Sequence, residues 1–300
     1  MPANCSAESD AVIIELNEKP EIMITNLLEG KRGIVFGALN DKSIAWHVAE
    51  KAWEQGARLV LTNAPVAMRM GSMNELAEKT GSEAIMADAT SMKDLDMLFS
   101  RSLEIFGGKI DFVLHSIGMS PNVRKGIPYA ETNYENMLKT LDISALSFHR
   151  ILQTAYRMDA ISEWGSVVAL TYVAAQRTLA GYNDMGDAKA LLESIARSFG
   201  YIYGMEKHVR VNTVSQSPTI TTAGSGIAGF DSLVDFSDRM SPLGNADASD
   251  CADVCVTLFS DLTRKITMQN IFNDGGFSSM GMSQRAIEQY RKSFDECPDR

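Results

Sequence analysis

The sequence predicts an α/β fold with a single doubly wound, parallel sheet of seven strands and helices on both faces. Short apolar runs alternate with helical patterns along the whole chain, and parallel strands need such crossovers between them. The 300 residues are 45% apolar and evenly mixed in composition, which suits one large core. Polar and glycine residues follow the apolar runs directly, at the strand ends where ligands bind in folds of this Rossmann type.

The apolar runs locate the strands, and the spacing of apolar residues locates the helices. Strands are predicted at Arg32–Phe36, Leu59–Leu61, Ala84–Met86, Phe112–Leu114, Val167–Leu170, Val209–Val214 and Met268–Phe272. Helices are predicted from about Ser43, between Ser91 and Phe106, from about Glu135 to Met158, and around Lys189 to about Tyr203. The polar, glycine-bearing stretch from Thr219 to Pro242 is a candidate lid.

The catalytic domain is predicted over residues 27–280, between two less regular ends. Residues 1–26 are acidic and polar at their start and predict a disordered extension without a signal peptide. Residues 281–300 predict a helical tail, with a helical run from Gln284 to Phe294. No apolar run reaches the length of a membrane span, so a cytoplasmic protein is expected.

Charge and cysteine content exclude two classes of function. The formal net charge of −10 argues against a nucleic-acid binder, which needs a basic surface. Of the four cysteines, only Cys251 and Cys255 are close in sequence, and no histidine pair completes a zinc-like set. We therefore expect idle, reduced thiols and no metal site.

The stretch from Tyr172 to Lys189 carries the candidate chemistry. Tyr182 and Lys189 are seven residues apart, so a helix places them on one face with Cα atoms roughly 10 Å apart. A phenol could then reach a substrate oxygen while the ammonium holds another group nearby. Tyr172 follows the fifth predicted strand and could enter the same cleft from the sheet side.

The loop after the first strand is the candidate phosphate site, although it lacks the full G-x-G-x-x-G pattern. Gly37 allows a tight turn, Ser43 is small, and the following helix offers free N–H groups to a pyrophosphate. After the second strand, Thr62-Asn63 supplies neither the acid that favours NADH nor the arginine that favours NADPH. NADH is favoured and NADPH stays possible. Asp88 could lie beside an adenine or cap the following helix.

With these pieces placed, the sequence resembles the NADH-dependent enoyl-acyl carrier protein reductases of bacterial type II fatty-acid synthesis, a divergent branch of the short-chain dehydrogenases/reductases. The resemblance covers about residues 27–277. Its motifs are GxxxxxSIA at 37–45, HSIG at 115–118, LDIS at 141–144, LTY at 170–172, YNDMGDAK at 182–189 and VRVNTVSQSP at 209–218. Ordinary relatives have Tyr-x-x-x-Lys and a serine in place of Tyr172, so this pattern is specific.

The resemblance implies roles for matching residues. Tyr182 would stabilise an enolate formed when hydride reaches the β-carbon of a trans-2-enoyl thioester, Lys189 would hold the nicotinamide ribose, and Tyr172 would line the thioester pocket. The implied cofactor contacts are Gly37, Ser43, Ile44, Asp88, Ala89, Ile117, Gly118, Lys189 and Thr221. The implied substrate contacts are Met119, Tyr172, Tyr182, Met185, Ala223 and Ile227.

The resemblance also implies partners, namely an acyl carrier protein and three further copies of the chain in a homotetramer. Some family members place basic residues that meet the acidic carrier where residues 226–232 of this sequence have none. Carrier docking would then depend on other cations, with Arg124, Lys125 and Arg177 as candidates. Two alternatives stay open: an oxidoreductase of the wider superfamily that acts on a carbonyl or hydroxyl, and a non-catalytic dinucleotide-binding regulator.

Overall fold

Seven parallel strands form one sheet in the computed structural model, which describes residues 26–222 and 229–296. The strands are β1 (Arg32–Phe36), β2 (Arg58–Asn63), β3 (Glu83–Met86), β4 (Ile110–His115), β5 (Ile161–Thr171), β6 (Arg210–Gln216) and β7 (Asn270–Asn273). Their order in the sheet is β3-β2-β1-β4-β5-β6-β7. The direction of chain progression therefore reverses between β1 and β4, which is where ligands bind in doubly wound sheets.

Helices cover both faces of this sheet. They are α1 (Ile44–Glu54), α2 (Pro65–Met70), α3 (Met73–Thr80), α4 (Met92–Phe106), α5 (Pro121–Arg124), α6 (Tyr134–Leu141), α7 (Ser147–Arg157), α8 (Asn183–Lys207), α9 (Phe230–Met240), α10 (Ala248–Phe259) and α11 (Gln284–Glu296). Apolar residues of α4, α7 and α8 form the core on one face, and those of α1, α3 and α10 form the core on the other. The predicted doubly wound fold is confirmed.

Several boundaries differ from the prediction for local backbone reasons. β7 begins at Asn270 rather than at Met268, because Met268 has a left-handed backbone with φ of 61° that interrupts an extended strand. β6 begins after His208, which ends α8 with φ of 55°. α8 itself continues four residues past the predicted Tyr203, to Lys207. The long helix predicted up to Met158 contains a π-helical segment, Asp142–Leu146, between α6 and α7.

The structure describes the predicted C-terminal helix but almost none of the predicted N-terminal extension. The predicted disordered extension falls on residues of which all but Asn26 lie outside the described part. At the other end, α11 occupies the segment for which the sequence predicts a helix. Within the described residues, no helix combines the length and the apolar character that crossing a bilayer requires.

Candidate active site

A cavity of about 370 Å³ opens at the carboxyl ends of the central strands. Its walls come from the residues that follow β1, β4, β5 and β6, and from the first turns of α1, α8 and α9. This location results from the topology, since the reversal between β1 and β4 leaves a crevice that no crossover covers. The side chains that the sequence singled out meet here.

Tyr172 and Tyr182 face each other on the cavity wall. Tyr172 directly follows β5, and Tyr182 is the residue before α8, so the sheet supplies one ring and a helix start supplies the other. Their ring centroids are 5.0 Å apart at an interplanar angle of 60°, an edge-to-face geometry that aromatic pairs favour. The expectation that Tyr172 enters the cleft from the sheet side agrees with this arrangement.

Both phenols are protonated at neutral pH. Burial raises the pKa of Tyr182 above its usual value, and the neighbouring Tyr172 raises it further. Burial, followed by the charge of Asp274, also raises the pKa of Tyr172. The Tyr172 hydroxyl is buried and finds no hydrogen-bond partner among the described residues. The pair therefore offers O–H donors to a ligand in the cavity.

Lys189 lines the same cavity, two turns along α8 from Tyr182. Its side chain is 8% exposed, and Nζ donates a hydrogen bond of 2.8 Å to the carbonyl oxygen of Leu170. Burial lowers the pKa of Lys189 to about 8, an effect that the carboxylate of Glu193 opposes. A Cβ at Gly118 would lie 3.8 Å from Nζ, so the glycine leaves the ammonium open to a ligand.

Glu193 is a buried acid that sequence reasoning missed. It lies one turn beyond Lys189 and is 4% exposed. Its carboxylate accepts hydrogen bonds from the Thr171 hydroxyl at 2.9 Å and from the Gln176 amide at 3.0 Å. Glu193 therefore ties the end of β5, next to Tyr172, to the helix that carries Lys189. Its position four residues after Lys189, on the same helix face, was the sequence signal that could have identified it.

The loop after β1 has the geometry of a phosphate-binding turn. Gly37 has φ of 98°, and a Cβ there would lie 2.0 Å from the carbonyl oxygen of Ser116, so only glycine fits. Ser43 precedes α1, but its hydroxyl donates to the Asn40 carbonyl at 2.6 Å and accepts from the Leu39 N–H at 3.1 Å. The serine closes the loop instead of capping the helix, which leaves the first turn of α1 directed at the cavity.

The cavity wall next to the first loop is formed by the residues after β4. The hydroxyl of Ser144, in the π-helical segment, accepts from the Met119 N–H at 2.9 Å and lies 3.1 Å from the Met119 carbonyl oxygen. π-Helical turns are frequent at functional sites, and this one fastens the Ile117–Met119 strip. The LDIS motif thus acts through a serine that holds the cavity wall.

The structure brings most of the predicted site residues to this cavity. Those that line it are Gly37, Ser43, Ile44, Ile117, Gly118, Met119, Tyr172, Tyr182, Met185, Lys189 and Thr221. Asp88 and Ala89 lie beyond β3 and do not line it; Asp88 accepts from the Thr90 N–H at 2.8 Å, and Ser91 is the residue that caps α4. Ala223 and Ile227 lie outside the described residues. The assigned contacts remain predictions.

Further cavity residues were not predicted. They include polar residues at and after the end of β6 and two apolar residues of α9, namely Gln216, Ser217, Thr219, Thr222, Phe230 and Leu233. Gln216 and Ser217 belong to a motif that carried the resemblance, and their place at a strand end was a usable signal. Phe230 and Leu233 show the three-residue spacing of a helix face.

His115 and the two neighbouring cysteines have structural surroundings. His115 is fully buried, and burial followed by the charge of Lys189 lowers its pKa to about 3, so the imidazole is neutral. Its Nε2 lies 2.9 Å from the Ser147 hydroxyl. Cys251 and Cys255 are free and buried. No group of three or more metal-ligating side chains occurs in the part of the chain that the structure describes.

Comparison with known proteins decides the family. The family model described as "Enoyl-(Acyl carrier protein) reductase" matches residues 37–278. The chain belongs to the enoyl-(acyl carrier protein) reductase family. This membership agrees with the two-tyrosine site and confirms the resemblance seen in the sequence motifs.

Individual members of the enoyl-(acyl carrier protein) reductase family cover nearly the whole described fold. The chain is 34% identical over 262 residues to enoyl-[acyl-carrier-protein] reductase [NADH] 1 of Rhizobium meliloti, covering 86% of this chain and 94% of that protein. A solved FabI–NADH complex from Alistipes finegoldii is 66% identical with a TM-score of 0.87, covering 88% and 94% of the two chains. A Bacillus cereus enoyl-acyl carrier protein reductase solved with NADP⁺ is 30% identical with a TM-score of 0.79, covering 85% and 99%.

Proposed function

We propose that this chain reduces trans-2-enoyl thioesters on acyl carrier protein to saturated acyl thioesters, with NADH as the reductant. The observation that carries the proposal is the arrangement of Tyr182, Tyr172 and Lys189 on one cavity, with a phenol from each side and a partly desolvated ammonium. Family membership and the NADH-named relatives support the same reaction.

Tyr182 is the proposed donor to the thioester oxygen. The bound nicotinamide would supply hydride to the β-carbon, and negative charge would then develop on the thioester oxygen. The raised pKa keeps the Tyr182 proton in place until that charge appears. A donor already fixed in a low-dielectric cavity stabilises such charge without reorganisation. Tyr172, whose hydroxyl has no partner among the described residues, would support the same oxygen or the thioester.

The proposed cofactor site extends from Lys189 to the loop after β1. The Lys189 ammonium would bind the ribose hydroxyls in the space beside Gly118, exchanging its bond to the Leu170 carbonyl. Gly37, Ser43 and Ile44 would hold the pyrophosphate at the first turn of α1, and Thr221 would approach it from the loop after β6. Asp88 and Ala89 are proposed for the adenine end, outside the cavity.

The preference for NADH over NADPH rests on the end of β2. Asn63 lines the cavity, but its side-chain amide donates to the Ala38 carbonyl at 2.9 Å and so braces the first loop. Arg69 lies on the exposed side of α2 and does not line the cavity. Among the described residues, no arginine lines the cavity at the end of β2, which favours the unphosphorylated cofactor.

The proposed carrier partner would dock at the cavity mouth near α5. Arg124 lines the mouth, and both Arg124 and Lys125 are exposed. Across the cavity, α9 exposes Asp231 and Asp235, of which Asp235 is paired with Arg239. An acidic carrier would approach the α5 side, because opposite charges steer the encounter of two proteins.

We also propose that the protein is a cytoplasmic homotetramer, as the sequence resemblance implies. Ala223 and Ile227 are proposed to join the apolar substrate wall.

Loss of NADH absorbance with a crotonyl thioester tests the proposal. Oxidation of NADH that requires the enoyl thioester is expected, with NADPH slower. Consumption with 3-oxoacyl thioesters alone would favour the carbonyl-acting alternative. Binding of NADH without turnover on any enoyl or carbonyl substrate would favour the regulator.

A further inference from the structure

A second buried acid, Asp184, lies two residues beyond Tyr182 and outside the chemistry described so far. It is 0% exposed at the second position of α8. A carboxylate without solvent needs hydrogen bonds or an ionic partner to offset its lost hydration. Within the described residues Asp184 forms no ion pair, so neutral donors must supply that compensation.

Three neutral side chains converge on the Asp184 carboxylate. The Ser120 hydroxyl donates to Oδ1 at 2.6 Å, and the Asn122 amide donates to Oδ2 at 2.9 Å. The Thr140 hydroxyl lies 2.9 Å from Oδ2 and equally 2.9 Å from the Asn136 carbonyl oxygen, so its proton is shared between two acceptors. These side chains are themselves 0–3% exposed. They come from the segment after β4 and from α6, so the carboxylate connects α8 to both of these parts of the chain.

The partners of Asp184 are in turn fully engaged. The second N–H of the Asn122 amide donates to the Asn133 carbonyl at 3.1 Å, while its oxygen accepts from Asn136 at 3.1 Å. The Ser120 hydroxyl oxygen accepts from the Val123 N–H at 3.0 Å. A satisfied buried network of this kind fixes its members in one arrangement, and here two of them, Ser120 and Val123, line the cavity.

The same network braces an unusual backbone next to Tyr182. Asn183, between Tyr182 and Asp184, has a left-handed φ of 41°, and its side-chain amide donates to the Ile127 carbonyl at 2.6 Å. A non-glycine residue keeps such a backbone only where its surroundings over-determine it. The anchors of Asn183 and Asp184 provide this constraint, and the direction of the Tyr182 side chain depends on it.

We propose that Asp184 is a positioning residue, which fixes the Tyr182 hydroxyl relative to the Met119–Val123 wall by anchoring the first turn of α8 next to the left-handed Asn183. The proposal rests on the proposed function, in which Tyr182 is the donor to the thioester oxygen. Misplacement of a catalytic group by about 1 Å can reduce a rate on the order of 100-fold. Replacement of the Asp184 carboxylate should therefore lower the rate of the chemical step and leave the cofactor loop around Gly37 intact.

Single-turnover oxidation of bound NADH by crotonyl thioester tests this in Asp184→Asn, Tyr182→Phe and the double variant. We expect Asp184→Asn to lower the rate constant about 10- to 100-fold with little change in NADH affinity. In the Tyr182→Phe background, the same substitution should have almost no further effect, because residues that act through one group are not additive. An equal loss in both backgrounds, or an undiminished rate in the single variant, would overturn the proposal.

Asp187→Asn is the matched control, because it makes the same chemical change one turn further along α8. Asp187 accepts a hydrogen bond from the exposed Tyr129 hydroxyl at 3.0 Å, and its variant should react at nearly the wild-type rate. An equal loss there would assign the effect to helix charge and contradict the proposal. If Asp184→Asn does not fold, Ser120→Ala and Thr140→Val each remove one hydroxyl that contacts Asp184 and enter the same cycle.

A crystal structure of Asp184→Asn, or of Ser120→Ala, gives an answer that does not depend on turnover. The proposal predicts a changed φ at Asn183 and a displaced Tyr182 ring. An unmoved Tyr182 would overturn it even if the wild type reduces enoyl thioesters. Failure of the proposed function would instead be seen in the wild type alone, as NADH that is bound but not consumed.

Discussion

The two walls of the cavity are held in different ways. The α8 wall, comprising Tyr172 and residues 182–193, is fixed by two buried acids, Asp184 and Glu193, and by the Lys189 bond to the sheet. The β6 wall, comprising residues 217–222 and α9, is joined to the first loop through an exposed bond of 2.9 Å between Asn40 and Thr222. The proposed chemistry thus lies on a wall whose side chains buried hydrogen bonds fix to the sheet.

Removal of the Tyr182 hydroxyl should have the largest effect on the α8 wall. Tyr182→Phe should lower kcat about 100- to 1,000-fold, the usual cost of losing a donor to a developing oxyanion, while NADH affinity changes little. Steady-state rates with crotonyl thioester measure this. Tyr201→Phe, which alters an exposed tyrosine on the same helix, should leave kcat unchanged. A similar kcat in Tyr182→Phe and the wild type would place the chemistry elsewhere.

Lys189 should make NADH binding depend on pH. The pKa of Lys189 is lowered to about 8, so the ammonium is charged below that pH and neutral above it. NADH affinity should be constant near pH 6.5 and fall as pH rises through about 8, as measured by NADH fluorescence titration. Lys189→Met should bind weakly at all pH values. A flat wild-type profile would contradict the ribose role of the charged lysine.

Glu193 should set the position of that pH profile. Its carboxylate raises the pKa of Lys189 against the effect of burial, so Glu193→Gln should move the fall in NADH affinity to lower pH. Thr171→Val removes a hydrogen bond to Glu193 and keeps the charge, so its profile should stay close to the wild type. Equal shifts in both variants would indicate a structural effect rather than an electrostatic one.

Charge reversal at the cavity mouth should affect the carrier-bound substrate alone. Arg124→Glu with Lys125→Glu should lower kcat/KM for an enoyl-acyl carrier protein about 5- to 10-fold relative to an uncharged N-acetylcysteamine thioester, and added salt should reduce the difference. Lys265→Glu alters an exposed lysine that contacts Trp164 and serves as the control. An unchanged ratio between the two substrates would exclude docking at α5.

The β6 wall should respond least to a single change. Asn40→Ala removes both side-chain contacts with the Thr222 hydroxyl, at 2.9 and 3.2 Å, and the 3.2 Å bond from the Lys42 N–H. Because an exposed neutral hydrogen bond contributes about 1 kcal/mol or less, NADH affinity should fall by about fivefold at most. A loss comparable with that of Lys189→Met would show that the β6 wall is as rigidly determined as the α8 wall.

Sequence patterns predicted the fold and the α8 wall because both depend on local spacing. The alternation of strands and helices predicted the parallel sheet. The seven-residue interval between Tyr182 and Lys189 predicted that the two side chains lie on the same side of one helix. The Asp184 network was not predictable, since Ser120, Asn122 and Thr140 come from segments at least 44 residues away. Asp88 was predicted to lie beside an adenine or to cap the following helix; Ser91 is the cap, and the adenine contact stays a prediction.

The fate of a deuterium label tests the central claim most directly. The wild-type enzyme would be incubated with NADH deuterated on the transferred C4 position and with a crotonyl thioester, and the product analysed by mass spectrometry and NMR. The account predicts a butanoyl thioester with deuterium on its β-carbon. Deuterium on the carbonyl carbon of a reduced product, or a crotonyl thioester recovered unchanged while NADH stays bound, would contradict it.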